Sequence, residues 1–171
     1  MKKSTFMRID LIYLCFVIFA NELKMDPKKV NVINNWTSLK NVFEVQSFHG
    51  LASFYRKFIR NFSRISTPMM DMVKKRHKYF HWTEESEKSF NLLRKKIIEQ
   101  PILVLPDFSK TFQVRCDVSG FAIGVVLSQD DRPIAYLSEK LNEVKIKYST
   151  YDKRILCSHT STEEMETLFG Y

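Results

Sequence analysis

The chain has 171 residues, 44% of them hydrophobic and 13% aromatic, with 14 Phe. That composition excludes a disordered chain and bounds the fold to one ordinary domain or two small ones in tandem. A formal net charge of +8 and a pI near 9.4 point to an anionic partner, for which nucleic acid is the usual case; a surface made basic for solubility is the plain alternative. The three cysteines, Cys15, Cys116 and Cys157, are far apart and form no C-x-x-C pair. They argue against a zinc knuckle or a disulfide framework and fit a reducing compartment.

Lys2 and Lys3 precede an apolar run, LIYLCFVIFA, from Leu11 to Ala20. It is too short to span a bilayer, though long enough for the hydrophobic part of a signal peptide. Arg8 and Asp10 sit just before it, and no clean cleavage pattern follows. Its β-branched and aromatic content suits a buried strand, so Leu11 to Phe19 is expected as one strand, with a turn over Asn21, Glu22 and Leu23. Asp26-Pro27 is a helix start, with Asp as N-cap and Pro at the first helical position. Asn41 and Glu44 have capping-box spacing and open a second helix, in which Val45, Phe48, Ala52 and Tyr55 recur at helical intervals. Arg56, Lys57 and Arg60 fall on or beside its other face. Ser66-Thr67-Pro68 is expected to open a third helix, which ends in the basic run Lys74-Lys75-Arg76-His77-Lys78. Thr83 caps a fourth helix, and Pro101 stops it.

Beyond Pro106 the apolar period becomes strand-like. Thr111–Asp117, Phe121–Ser128 and Arg132–Leu137 read as three antiparallel strands, with a hairpin turn at Asp130-Asp131. Ser149 and Asp152 announce a further helix. The expected fold class is α+β: a helical module, three antiparallel strands and the start of a helix.

Few residues carry chemistry alone. Asp117 ends its strand, where a carboxylate can hold Mg²⁺, although an aspartate there is more often a turn residue. His77 and His81 have the spacing of helical zinc ligands, but the aromatic residues between and beside them argue against a regular helix and no Glu follows His77. His49 reads as a core or boundary residue, and Met69, Met70 and Met72 as core filler. Lys74, Lys75, Arg76 and Lys78 could track phosphates, as could Arg56, Lys57 and Arg60; a solvated helix end is the competing reading.

The stretches VQSFHGLASFYRKFIRNFS, FHWTEESEKSFNLLRKKI, PILVLPDFSKTFQVRCDVSGFAIGVVLSQDDRPIAYLSEKLN and KYSTYDK follow one another in order. Together with IYLCFVIFANELKMDPKKV, they resemble gypsy-type LTR retrotransposon Pol polyproteins from residue 1 to about 153. The resemblance implies a reverse-transcriptase thumb and connection over residues 1–100, which grip primer and template. It implies an incomplete ribonuclease H-like domain over 101–153. The family carries out RNA-templated DNA synthesis and hydrolyses RNA in RNA–DNA hybrids, the latter with two Mg²⁺ ions held by several carboxylates. The polymerase palm is expected upstream. The implied partner is an RNA–DNA hybrid, with no membrane association and a cytoplasmic or nuclear location. Asp117 matches the family's first-strand catalytic, metal-binding aspartate. Cys15 stands where the family usually has Gly, and prolines common after the residue matching Trp36 are missing.

The resemblance breaks after Lys153. The family's next residue is a catalytic Glu; here it is Arg154, a cation that would repel Mg²⁺. Asp152 lies roughly 200° around a helix from that position, too far to substitute. A third aspartate is expected on a later strand. One carboxylate does not place two metals, so the chain is expected to be inactive as a nuclease. Residues 154–171 as written match nothing in the family. Their codons offer a reason. Glu163-Glu164-Met165-Glu166 must be encoded GAR-GAR-ATG-GAR, and one base later this reads as two basic residues, Trp and a third basic residue, close to the family's Lys-Lys-Trp-Arg. Arg154-Ile155-Leu156-Cys157 can likewise read Glu-Phe-Tyr-Ala. A one-base insertion at Lys153/Arg154 is therefore expected to have produced an out-of-frame tail. Lacking a covering helix, the three strands would expose apolar surface and be poorly soluble. The alternatives are a non-catalytic nucleic-acid-binding module, a nuclease completed by another chain, and a secreted protein with an N-terminal signal.

Overall fold

The apolar run near the N-terminus forms two strands, not one. In the computed structural model, which describes residues 10–74, 80–99 and 101–169, β1 (Asp10–Tyr13) and β2 (Phe16–Phe19) pair antiparallel, with Tyr13 opposite Phe16. The two-residue turn between them, Leu14-Cys15, has φ of 46° and 64°. Such a turn needs left-handed backbone at both central residues, which Gly adopts freely and a side chain disfavours. The Gly that the family usually carries at Cys15 therefore has a conformational reason. Leu14-Cys15 gives no turn signal, so periodicity alone merges the two strands. A second turn of the same kind at Ala20-Asn21 leads into β3 (Glu22–Met25).

Asp26 caps α1 (Pro27–Asn34), its carboxylate accepting from Lys28 N at 2.9 Å. Asn41 caps α2 (Val42–Phe54), accepting from Glu44 N at 2.9 Å, and a 3-10 turn follows at Arg56–Phe58. The next helix, α3 (Phe62–Lys74), starts four residues before the expected opening at Ser66, and Pro68 lies inside it. Pro68 has no N–H for the carbonyl one turn back. The helix nevertheless runs through it and is tied to its neighbour at other carbonyls. Buried Ser86 and Ser89 of α4 (Glu84–Ile98) donate to the Pro68 and Ile65 carbonyls at 3.3 and 2.5 Å. Thr83 caps α4 as expected, accepting from Ser86 N at 3.2 Å.

A short strand that the sequence did not signal, β4 (Leu103–Val104), pairs with β3 and completes a four-stranded sheet in the order β1-β2-β3-β4. Residues just past 101 thus belong to the first sheet. That sheet and the helices share one aromatic-rich core, with Phe48 against Phe90 at 4.7 Å and Trp36 at 5.6 Å, and Phe16 against Phe58 at 5.7 Å.

The second sheet is antiparallel in the order β5-β6-β7: β5 (Gln113–Val118), β6 (Ala122–Gln129) and β7 (Arg132–Lys140). The Asp130-Asp131 turn joins β6 to β7, with φ of 50° and 59°. One turn of helix, α5 (Glu143–Ile146), precedes α6 (Thr150–Phe169), at whose start the Ser149 hydroxyl accepts from Asp152 N at 3.2 Å. The helix runs past Lys153 without a break, and Cys157 packs with Ile123, Val125, Leu137 and Leu141. The sheet is therefore covered by a helix, contrary to the expectation of a bare remnant.

The opposite face of this sheet meets the first module. Ser63 N donates to Ser138 Oγ at 2.9 Å, and Ser63 Oγ donates to the Ser138 carbonyl at 2.8 Å. Lys140 pairs with Asp71 at 3.0 Å, and Tyr136 packs on the first core. Gly124 is required at this seam: a Cβ there would lie 2.4 Å from Asn61 Oδ1.

Candidate nucleic-acid interface and carboxylate site

Asp117 lies in β5 opposite Gly124 of β6. Strand alternation places the two on the face that Asn61 and Arg60 approach. The Asp117 carboxylate is about half exposed, and its Oδ2 is 3.8 Å from Arg60 Nη2. An ion pair this open contributes about 0–1 kcal/mol, so it positions the carboxylate without burying it. The surrounding cleft, about 310 Å³, is lined by Arg60, Arg115, Asp131 and Tyr136 among others. Asp131 is committed to Arg115.

A two-ion site needs several converging carboxylates. Among the described residues, no group of three or more His, Cys, Asp or Glu side chains could hold a metal ion. Arg154, expected from the sequence at the position of the family's Glu, is exposed on α6. Among the described residues the donor set does not fit a pair of Mg²⁺ ions: Asp117 has a guanidinium beside it, and Asp131 is held by Arg115. His81 is exposed ahead of α4; His77 lies outside the described residues.

The basic residues separate into groups. Arg60 lines a groove of about 580 Å³ between α3 and α4, together with Arg64, Lys88 and Lys96; Glu85 is the carboxylate on its wall. Arg64 also stacks over the Phe121 ring at 5.8 Å, reaching toward the second sheet. Arg60 therefore belongs to both the basic groove and the Asp117 cleft. The sequence could not assemble this set, because its members come from the 3-10 turn's exit and from two antiparallel helices. Arg64, Lys88 and Lys96 went unnoticed for that reason; their spacing by four and eight residues in helical segments was the available signal.

Lys57 is placed differently from its neighbours. Its Nζ sits 4.1 Å over the Phe16 ring, and burial lowers its pKa. It belongs to the β2 packing and does not point outward with Arg60. Arg56 is exposed and lines a separate cleft with His49, Asp71 and Lys140. The side chain of Lys74 and all of Lys75, Arg76 and Lys78 lie outside the described residues. No helix among the described residues is long and apolar enough to cross a membrane.

Residues 82–170 match the model of the RNase H-like domain found in reverse transcriptase. The chain is 32% identical to the retrovirus-related Pol polyprotein from transposon opus of Drosophila melanogaster, covering 99% of this chain and 18% of that protein. It is 36% identical to the corresponding protein from transposon 297 and 34% identical to that from transposon gypsy, both of the same fly, covering 14% and 16% of them. The fold is similar to the foamy viral protease-reverse transcriptase in complex with RNA/DNA hybrid, at a TM-score of 0.85 and 23% identity over 95% of this chain and 23% of that one. A complex of the same viral enzyme with dsDNA gives a TM-score of 0.83 over 94% of this chain and 34% of that one, at 22% identity. The chain thus spans less than a fifth of each of these three Pol relatives, and it belongs to the RNase H-like domain family of reverse transcriptases, as a portion of a retrotransposon Pol polyprotein.

Proposed function

We propose that this chain holds an RNA–DNA hybrid by its phosphate backbone and does not cut it. The observation that carries the reading is the mismatch between its two surfaces. Arg60, Arg64, Lys88 and Lys96 converge on one groove, whereas Asp117 has Arg60 beside it and Arg154 in place of a second carboxylate. Cations on packed helices suit phosphate tracking, and one carboxylate beside a cation does not suit two-metal hydrolysis. The foamy viral neighbour held an RNA/DNA hybrid, which agrees with this choice of partner.

Hybrid binding measured by fluorescence anisotropy across salt tests the reading. Four phosphate contacts predict a slope of log affinity against log salt of about −3.6, or roughly a 10²-fold loss between 50 and 200 mM salt. Charge removal at Arg64 and Lys96 together should flatten the slope by about two contacts. Mg²⁺-dependent cleavage of the hybrid, abolished by Asp117→Asn, would overturn it and favour a nuclease completed by another chain.

The origin of residues 154–171 is a second proposal, resting on α6. Its buried positions include Lys153, Cys157 and Ser161, spaced like one helical stripe, while Ile155 is exposed. A helix shaped to cover a sheet would place apolar residues on that stripe. Ser161 on that stripe is what a one-base insertion at Lys153/Arg154 would leave there, whereas Cys157 and Leu156 pack on the core and the family match runs to residue 170, as an in-frame tail would. Reading the DNA across these codons decides it: a restored frame giving Glu-Phe-Tyr-Ala and later Lys-Trp-Arg is the expected result.

A further inference from the structure

Two of the three cysteines, far apart in sequence, meet in the fold. Cys116 lies in β5 opposite Val125 of β6, and Val125 shares the second sheet's small core with Cys157 of α6. Cys157 is fully buried, and its thiol donates to the Gly124 carbonyl at 3.8 Å. Gly124 is the register partner of Asp117, the residue next to Cys116. Paired residues on adjacent strands have Cα atoms about 4.5–5.5 Å apart, so Cys116 sits directly beside the place where Cys157 rests on the sheet. Directly paired residues point to the same face, so Cys116 shares with Val125 the face on which Cys157 packs. Burial first, and then the Cys116 thiol, push the Cys157 pKa well above the ordinary thiol range. Cys116 is exposed to solvent, while Cys15 lies in the β1–β2 turn against the other core.

We infer that Cys116 and Cys157 are a redox pair that a soluble disulfide of the glutathione type converts into an intrachain disulfide, fastening α6 to β5. In the first step the Cys116 sulfur attacks oxidised glutathione, forms a mixed disulfide and releases one reduced glutathione. In the second, the Cys157 sulfur attacks the Cys116 sulfur and expels the other glutathione. Two protein thiols are oxidised, one glutathione disulfide is reduced, and the two thiol protons leave on the two glutathiones. Burial of Cys157 makes the second step the slower one. The bond would close the chain between residues 116 and 157 and restrain the strand that carries Asp117. The inference is independent of hybrid binding.

The test uses the full chain equilibrated with oxidised glutathione, quenched by alkylation and mapped by mass spectrometry. A peptide linked through Cys116 and Cys157 is expected, with Cys15 still alkylated. The oxidised protein should melt roughly 5–10 °C higher, independently of protein concentration. Cys116→Ser, at an exposed site, should abolish both the link and the shift while leaving the reduced melting temperature unchanged. A stable glutathione adduct on Cys116 with Cys157 unreacted would overturn the inference. A link through Cys15, or a disulfide between two chains, would overturn it equally.

Discussion

The two sheets of this protein are built on opposite economies of packing. The first is backed by four helices, and its core includes Phe48, Tyr55, Phe58 and Phe90, all fully or almost fully buried. Among the described residues the second rests on a core of five buried residues, Ile123, Val125, Leu137, Leu141 and Cys157, and its strand β5 is exposed from Gln113 through Asp117. Stability scales with apolar area removed from water, so the first module should hold most of it. The candidate chemistry follows the other distribution: Asp117 lies on the exposed strand, with Arg60 brought to it from the better-packed module.

The contrast is open to direct attack. Phe48→Ala should remove about 3–5 kcal/mol of stability, because it empties the centre of the larger core. Val114→Ala on β5, where the side chain is 42% exposed, should change stability by no more than about 0.5 kcal/mol. Urea denaturation of the two variants reads the difference; equal losses would dissolve the distinction between the modules.

The seam between them gives an intermediate effect. Gly124→Ala brings a methyl to within 2.4 Å of Asn61 Oδ1 and should cost about 1–3 kcal/mol. Asn61 itself has φ of 59°, a conformation that suits glycine. Asn61→Gly therefore removes both the obstruction and the backbone strain, and the Gly124→Ala cost should vanish in that background. Persistence of the full cost in the double variant would mean that the seam is not closed where Gly124 meets Asn61.

Tyr55 offers a smaller effect than the seam. Its Oη is buried without a hydrogen-bond partner among the described residues, and burial pushes the phenol from 10.0 up to about 12. The unfolded chain ionises near 10, so wild-type stability is full below that pH and declines as pH rises toward 12. Tyr55→Phe should be neutral or stabilising by up to about 1 kcal/mol near neutral pH. It should also lessen the alkaline decline, as followed by thermal melts at a series of pH values.

Local chemistry was readable wherever neighbours in sequence decide the outcome. Asp26, Asn41 and Thr83 mark helix starts because a short polar side chain reaches a backbone N–H two or three residues on, and Ser149 does the same ahead of α6. Asp130-Asp131 signals its hairpin because both residues tolerate left-handed backbone. The Leu14-Cys15 turn escaped notice because neither residue prefers that conformation; pairing of β1 with β2 imposes it. Pro68 misplaced the start of α3 for a related reason. A proline reads as a helix opening, yet α3 runs through Pro68 and is fastened to α4 by Ser86 and Ser89.

The sequence by itself determined the family, the helix starts at Asp26, Asn41 and Thr83 and the three strands of the second sheet. All of these are carried by residues close together along the chain. Tertiary structure alone decided that Arg60 stands beside Asp117 and joins Arg64, Lys88 and Lys96 around one groove, and that Lys57 turns inward over Phe16. It also set Cys157 on the sheet beside Val125, the register partner of Cys116. These pairings depend on how the helices and the second sheet dock at the Ser63–Ser138 seam, where contacts form between residues separated by 75 positions, a distance over which sequence spacing carries no geometric information.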